Sequence, residues 1–227
     1  SGGTGFLGAH LLSSLLKLEA GDIHCLVRCE DPSHGLSRLK ETAGSYGIEA
    51  LPWERVQVIP GDLGNKDLGL SDTEFKALAE RLGRIYHAGA YVNHILPYSQ
   101  LEAANVQGTE AMLRLAAQGG SALHHVSTLG VLPFTTEGLP LPYSEATPIG
   151  EEAEPFVGGY AQSKWAAEAL VEDARHRGLP VSIYRAGAIT GSHHLGENPR
   201  HELVWRAVES AIRGGVYPAV EGDIGLS

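Results

Sequence analysis

The stretch Gly2-Gly3-Thr4-Gly5-Phe6-Leu7-Gly8 decides the fold of this chain. Gly2, Gly5 and Gly8 stand three residues apart. Apolar residues follow at three- and four-residue spacing as far as Leu18, which predicts a helix that begins near Gly5. Such a turn lets the backbone approach a pyrophosphate, and the unpaired N–H groups and positive dipole end of the helix then face the ligand. We therefore predict a dinucleotide-binding turn at Gly2, Gly5 and Gly8, with an ordinary glycine-rich turn as the alternative.

Short apolar segments alternate with helical patterns along the rest of the chain. Strands are predicted at 23–27, 55–59, 84–87, 123–126 and 181–184, and helices at 5–18, through Leu36 and Leu39, after a capping box at 71–74, and at 98–118, 160–176 and 202–213. This alternation predicts an α/β protein with a Rossmann-like, doubly wound parallel sheet. The Pro- and Gly-rich stretch 132–159 is too long for an ordinary connection, so we predict a substrate-side loop there.

The two ends of the sequence suggest a part of something longer. A glycine turn of this kind normally follows an apolar strand, and we expect that first strand to be absent from this sequence. The predicted organisation is an NADP-binding Rossmann domain over residues 1–187. Residues 188–227 are then the start of a C-terminal substrate-binding portion that is mostly missing.

Composition excludes several classes of protein. The 227 residues carry 17 basic and 27 acidic side chains, a net charge of −10, which disfavours nucleic acid as a partner. No apolar run is long enough for a membrane span, and no leader-like segment is present. Cys25 and Cys29 provide neither a disulfide framework nor a zinc site, which favours the reducing cytoplasm. The adjacent histidines His124 and His125 point to opposite faces of a strand, so no metal site is predicted.

A basic residue follows the predicted strand 23–27. Sites that take NAD usually have an acid at this place, whereas Arg28 stands here and can pair with a ribose 2′-phosphate. This indicates NADP(H) as the cofactor. Arg38 is a candidate second clamp, with a solvated helix residue as the alternative. Asp62 and Leu63 follow the strand 55–59, where an adenine contact is expected, and a simple turn aspartate is the alternative.

Tyr160 and Lys164 lie four residues apart, on one face of a predicted helix. A lysine ammonium close to a tyrosine favours the phenolate and is expected to lower the tyrosine pKa towards the working range. Ser127 and Thr128 end the preceding strand, in the crevice where doubly wound sheets bind ligands. The Thr128 hydroxyl can donate to a carbonyl oxygen beside the tyrosine. Taken singly, each of these residues has an equally good structural interpretation.

Together these residues resemble the extended short-chain dehydrogenase/reductase superfamily. The finer resemblance is to the thioester reductase domains that end non-ribosomal peptide synthetases, with carboxylic acid reductases and aminoadipate reductases as relatives. The segments that carry it are 3–12, 25–28, 61–63, 87–93, 97–98, 105–109, 126–128, 159–168 and 184–187. The sequence departs from the family pattern at two places. Ala186 stands where the family has proline, in a turn on the nicotinamide side, and residues 193–201 differ from the family in the substrate-side loop.

The resemblance implies roles for individual residues. Tyr160 is expected to be the proton donor, Lys164 its electrostatic partner, and Thr128 the hydroxyl that orients the carbonyl. The residues expected to bind the cofactor are Gly2, Thr4, Gly5, Phe6, Leu7 and Gly8 at the phosphate turn, Arg28 and Arg38 at the 2′-phosphate, Asp62, Leu63, Ala88, Gly89 and Ala90 around the adenosine, and Ser127, Tyr160, Lys164, Ala186, Gly187 and Ile189 towards the nicotinamide.

The implied activity is NADPH-dependent reductive release of an acyl or peptidyl thioester as an aldehyde, with further reduction to the alcohol left open. The implied partner is a phosphopantetheinylated carrier protein within a larger multidomain enzyme. One alternative is a nucleotide-sugar epimerase or dehydratase of the same superfamily, which would favour NAD. Others are a fatty acyl-CoA reductase and a non-catalytic NADP-binding module.

Overall fold

The computed structural model describes residues 1–132, 143–150, 158–192, 196–199 and 203–216. Helices and strands alternate along these residues. The helices are α1 (Phe6–Leu18), α2 (Pro32–Ser45), α3 (Asp72–Ala79), α4 (Tyr98–Glu102), α5 (Gly108–Gly119), α6 (Gly159–His176) and α7 (Leu203–Gly214). The strands are β1 (Ile23–Val27), β2 (Val56–Pro60), β3 (Arg84–His87), β4 (Ala122–Thr128) and β5 (Val181–Ala186). The α/β class predicted from the alternation is confirmed.

All the described strand pairs are parallel, and they form two sheets. β1 pairs with β2, and β4 lies between β3 and β5. Because parallel strands end at a common edge, the register Thr128↔Ala186 places the last residues of β4 and β5 side by side. That edge, together with the glycine turn, positions the site described below.

Residues of both sheets line a cavity of about 790 Å³. Its lining includes leucines of α1 and residues of β1 and β3, such as Leu26 and Ile85. Within the described residues β1 and β3 do not pair with each other.

The helix ends are set by local side chains. Ser71 and Glu74 form the predicted capping box at α3, in which each side chain bonds the backbone N–H of the other residue. Asp31 accepts a hydrogen bond from the His34 N–H at the start of α2. Gly120 ends α5 in the left-handed conformation, with φ of 65°, which glycine adopts without steric cost.

The long helix predicted over 98–118 contains an irregularity. The segment Ala103–Gln107 between α4 and α5 is π-helical, so one turn of the helix is wider than the rest. Apolar spacing alone does not distinguish such a turn from an α-helix, and the sequence prediction missed it. Asn105, in the centre of this turn, is buried.

Two apolar clusters make up the core. One joins α1 and α2 to β1 and β2, and the other joins α3, α5 and α6 to β3 and β4. Most of the predicted substrate-side loop, 132–159, lies outside the described residues, as do His193 and His194. In the part of the chain that the structure describes, no helix has both the length and the apolar character that crossing a bilayer demands.

Candidate active site

The glycine turn folds tightly against the end of β3. The Gly5 N–H donates to the Gly2 carbonyl at 3.0 Å, and Gly2 has a φ of 86°. A Cβ at Gly2 would lie 2.7 Å from the carbonyl carbon of Ala88 and from the nitrogen of Gly89, and a Cβ at Gly8 would lie 1.9 Å from the Gly2 oxygen. These contacts explain why glycine stands at positions 2 and 8.

The start of α1 has the features of an anion site. Its N-cap residue, Gly5, is exposed and has no capping side chain. The first helical turn contains no acidic side chain, so its unpaired N–H groups and the positive dipole end face outwards unopposed. The Phe6 ring packs edge-on against Tyr46. The first backbone N–H groups of a helix have no partner within the helix and can donate to a ligand. The turn therefore fits a pyrophosphate.

The predicted adenosine contacts converge beside this turn. A Cβ at Gly89 would lie 2.8 Å from Leu63 Cδ1 and 3.2 Å from the Gly2 nitrogen, so these three residues meet at one point. Asp62 belongs to the same loop. Its carboxylate accepts a hydrogen bond from the Gly64 N–H at 2.9 Å, which is the turn role that the sequence left as an alternative. A contact from Asp62 to adenine stays a prediction.

The two arginines predicted to bind a 2′-phosphate lie side by side. The Arg38 guanidinium donates to the carbonyl oxygen of Arg28, just after β1. Arg28 is exposed and Arg38 half-buried, so the pair presents positive charge at the surface near the end of β1. This hydrogen bond directs Arg38 towards the end of β1, and its contact with a 2′-phosphate stays a prediction.

Lys164 is buried, and its ammonium group is held at the end of β4. Nζ donates to the Val126 carbonyl at 2.8 Å and lies 3.4 Å from Nε2 of His125. Only 3% of the residue is exposed. Burial lowers the pKa of Lys164 to about 8, although the nearby Glu168 carboxylate raises it in part. The lysine is therefore charged at neutral pH but poised to lose its proton in mild alkali.

The imidazole beneath Lys164 is neutral. Burial, and then the positive charge of Lys164, lower the pKa of His125 to about 2. Its ring lies 5.3 Å from that of His87, whose pKa burial and His125 hold well below the usual value. Neutral imidazole can accept a hydrogen bond from an ammonium without adding a second positive charge.

Tyr160 lies at the N-terminal end of α6, half-buried, with its ring 5.4 Å from that of His94 in an edge-to-face contact. Burial raises the pKa of Tyr160. The sequence prediction was a pKa lowered by Lys164, and the structure shows the opposite direction because loss of hydration dominates. The phenol is accordingly in its protonated form, which suits a proton donor.

Thr128 and Ser127 face opposite sides of β4. The Thr128 Oγ1 accepts a hydrogen bond from the Gly130 N–H at 3.2 Å, so its own hydrogen remains as a donor. The Ser127 hydroxyl instead donates to Glu168 and is buried. The predicted contact of Ser127 with the cofactor is therefore not available to its side chain. Ala186 lies beside Thr128, and Gly187 and Ile189 follow it, half-buried.

A buried ion pair behind the lysine escaped the sequence analysis. Glu168 is fully buried, and its Oε1 accepts from Arg185 Nε at 2.7 Å. Tyr160, Lys164 and Glu168 follow one another at four-residue intervals on α6, and continuing this spacing past the lysine was the available signal.

Asn105 joins the π-helical turn to two other parts of the site. Its Oδ1 accepts from the Tyr91 N–H at 2.6 Å, and its Nδ2 donates to the Tyr91 carbonyl at 3.1 Å. The same Nδ2 donates to Ser163 Oγ at 2.9 Å, and Ser163 donates in turn to the Tyr160 carbonyl. One amide thus fixes the segment after β3 relative to the first turns of α6. The sequence placed Asn105 in a motif but gave it no role.

The fold and this site define the class: a Rossmann-like protein of the extended short-chain dehydrogenase/reductase kind. Residues 1–226 match the NAD-binding family described as male sterility protein, and the chain belongs to that family. It is homologous to the terminal reductase domains of non-ribosomal peptide synthetases. In the described residues, no cluster of three or more His, Cys, Asp or Glu side chains could hold a metal ion.

Three similar proteins show the degree of similarity in sequence and structure. A linear gramicidin synthase polypeptide of Brevibacillus parabrevis is 41% identical over an alignment of 237 positions, which covers 100% of this chain and 4% of that protein. The terminal R domain of the myxalamid PKS-NRPS pathway has a TM-score of 0.94 and 42% identity, over 99% of this chain and 57% of that structure. A thiolation-reductase di-domain from an archaeal non-ribosomal peptide synthetase has a TM-score of 0.76 and 25% identity, over 94% and 58%. The chain thus spans a little over half of these solved structures.

Proposed function

We propose that this chain forms the cofactor-binding and catalytic part of an NADPH-dependent thioester reductase. Its substrate would be an acyl or peptidyl thioester on the phosphopantetheine arm of a carrier protein, and its product an aldehyde. The observation that carries the proposal is the buried ammonium of Lys164, which donates to the carbonyl of Val126 near the end of β4. Val126 lies two residues before Thr128, and Lys164 lies four residues after Tyr160 on α6. Membership of a family that includes terminal reductase domains supports it.

The cofactor part of the proposal depends on two features. The open N-terminus of α1, beside the tight turn at Gly2 and Gly8, offers backbone donors to a pyrophosphate. The Arg28–Arg38 pair offers two guanidinium groups to a 2′-phosphate, where an NAD site would have an acid. NADPH, when bound, supplies the hydride that reduces the thioester carbonyl.

Residues of this chain would then bind and protonate the carbonyl oxygen of the thioester. The Tyr160 phenol donates its proton to this oxygen, and the Thr128 hydroxyl provides a second donor that aligns it. The Lys164 ammonium stabilises the phenolate that remains, because opposite charges attract strongly in a buried site. The reduced carbon keeps its oxygen, its sulfur and the new hydrogen. Breaking the C–S bond then releases the thiol, with its electron pair and a proton, and leaves the aldehyde.

The carrier-protein partner is proposed from the relatives. The archaeal structure contains a thiolation domain joined to a reductase domain, and the linear gramicidin synthase polypeptide is far longer than the matched region. A carrier-bound thioester would thus reach the site from a neighbouring domain of the same assembly. A fatty acyl-CoA reductase would accept the CoA thioester instead, and a parallel assay with both thioesters separates the two.

The direct test replaces Tyr160 with phenylalanine in the intact protein. The Tyr160→Phe variant should lose about a hundredfold or more in kcat with an acyl-carrier thioester and NADPH, since general acid catalysis contributes on this scale. Its affinity for NADPH should stay close to that of the unmodified protein.

A matched control is Tyr184→Phe, which removes the hydroxyl of a half-exposed tyrosine that bonds His124. This control should keep full turnover. Unchanged turnover in Tyr160→Phe would refute the assigned role, and absence of NADPH oxidation by the unmodified protein would refute the proposed reaction.

A further inference from the structure

Two side chains near the catalytic lysine reach a short segment that lies away from it in sequence. This segment, residues 143–150, belongs to the predicted substrate-side loop and is mostly exposed. Thr147 and Ser144 close a turn inside it, since the Thr147 N–H donates to the Ser144 carbonyl at 3.0 Å. Ile149 is its one buried residue.

The first contact comes from Arg185, near the end of β5. Arg185 pairs in register with Ser127, so it lies at the same sheet edge as Thr128. Its Nε and one terminal nitrogen are taken by the buried carboxylate of Glu168, each at 2.7 Å. The other terminal nitrogen donates to the Thr147 carbonyl at 2.6 Å. Because a guanidinium is planar, the ion pair fixes the direction in which this last donor points.

The second contact comes from Trp165, the residue after Lys164 on α6. Its indole N–H donates to the Ile149 carbonyl at 3.1 Å. Two carbonyls of the segment, two residues apart, are therefore held by side chains from two different elements. Both elements also carry the site: α6 holds Tyr160 and Lys164, and the end of β5 lies beside Thr128.

We propose that Arg185 and Trp165 form a clamp that fixes residues 143–150 against α6 and so positions the wall of the site that the acyl thioester contacts. The inference rests on the proposed function. It makes both side chains positioning residues, which act through the segment and not on the reacting atoms. Weakening the clamp should therefore raise the KM for the thioester and change NADPH binding much less, because the residues predicted to hold the pyrophosphate and the 2′-phosphate lie at the glycine turn and near the end of β1.

Two conservative variants test the clamp without emptying the core. Trp165→Phe keeps an aromatic ring and removes only the N–H. Arg185→Lys keeps a positive charge for Glu168 but loses the planar fork. Each should raise the KM for an acyl-carrier thioester about fivefold, the scale of one hydrogen bond, with a smaller change in kcat. Amide hydrogen exchange over 143–150 should become faster by a similar factor.

A control variant and the hydrogen-exchange measurement distinguish a positioning role of the clamp from a general structural role. Trp53→Phe alters a tryptophan in the α2–β2 half of the molecule, where its ring lies under Lys40, and should change neither the KM nor the exchange of 143–150. Unchanged exchange and KM in both clamp variants would overturn the proposal. So would a parallel loss of kcat, NADPH affinity and melting temperature, which indicates a general structural role. If the unmodified protein fails to reduce the thioester, the proposed function fails, and the exchange measurement still decides whether the clamp exists.

Discussion

The Lys164 ammonium donates to the carbonyl oxygen of Val126 at 2.8 Å, and this contact ties the predicted catalytic helix to the end of the central strand. Val126 lies two residues before Thr128 in β4. A charge that is buried and fixed in this way cannot adjust its position or its hydration freely. The activity of the site should therefore depend on the protonation state of Lys164, which its buried surroundings set.

The first prediction concerns alkaline pH. Since burial lowers the pKa of Lys164 to about 8, the ammonium is lost above that pH. If the charged lysine is required, kcat/KM should be level near neutrality and fall about tenfold for each pH unit above 8. The tyrosine does not explain such a fall, because burial raises the pKa of Tyr160. A profile that stays level to pH 9.5 would contradict a catalytic role for the charged lysine.

The second prediction concerns acid stability. The folded pKa of His125 is about 2, against an ordinary value of 6.5, so below about pH 6.5 the unfolded state binds a proton that the folded state does not. Stability should therefore fall with decreasing pH, by up to about 1.4 kcal/mol per unit from this group.

Chemical denaturation at pH 7 and pH 5 measures the effect. His125→Gln should reduce the loss between the two pH values, whereas His176→Gln, at an exposed histidine on α6, should leave it as it is. An equal loss in all three proteins would exclude His125 as a source of the acid sensitivity.

The third prediction separates folding from cofactor binding at the glycine turn. A Cβ at Gly8 would lie 1.9 Å from the Gly2 oxygen, so Gly8→Ala should destabilise the protein by about 1–3 kcal/mol and weaken cofactor binding. A Cβ at Gly5 meets only the Gly2 oxygen, at an ordinary 3.5 Å. Gly5→Ala should therefore fold normally but bind NADPH weakly, because its methyl group stands where the pyrophosphate is expected.

The control for these variants is Gly44→Ala, in a helix where nothing lies within 4 Å of the new Cβ. It should be neutral or slightly stabilising. Melting temperature and NADPH fluorescence titration measure the two effects. Normal NADPH binding by Gly5→Ala would show that the turn does not hold the pyrophosphate.

The fourth prediction concerns the choice of cofactor. Removing the Arg28 side chain removes one of the two charged donors predicted to bind the 2′-phosphate but keeps the carbonyl to which Arg38 donates. Arg28→Ala should weaken NADPH binding about tenfold to a hundredfold and leave NADH binding nearly unchanged. Arg177→Ala, at an exposed ion pair with Asp173, is the control and should affect neither. Equal weakening of both dinucleotides would argue against 2′-phosphate recognition at Arg28.

Much of the fold could be predicted because its signals are local. The capping box at Ser71 and Glu74, the glycine turn and the strand 23–27 depend on residues close together in sequence. The π-helical turn could not be predicted, because its apolar spacing resembles that of an ordinary helix. The division of the described strands into two sheets depends on contacts between distant strands, which local sequence patterns do not specify.

The sequence singles out the residues of the candidate site, whose roles stay predictions, but it does not give their pKa shifts or buried partners. Tyr160, Lys164 and Thr128 stand out by spacing, whereas the direction of the Tyr160 pKa shift depends on burial against His94 and its neighbours. The partner of Arg185 was also not evident. A buried ion pair with Glu168 requires two elements to meet, and neither residue alone indicates the other.

The Asn105 side chain bonds both backbone groups of Tyr91, as a neighbouring strand would. Its Oδ1 accepts from the Tyr91 N–H, and its Nδ2 donates to the Tyr91 carbonyl. The backbone at Tyr91 is consequently held by a side chain from another helix. Val92 and Ile95 project outwards, with 57% and 94% of their surfaces exposed. Substitutions of Val92 and Ile95 should therefore change the surface at this place without changing the backbone at Tyr91, which Asn105 holds.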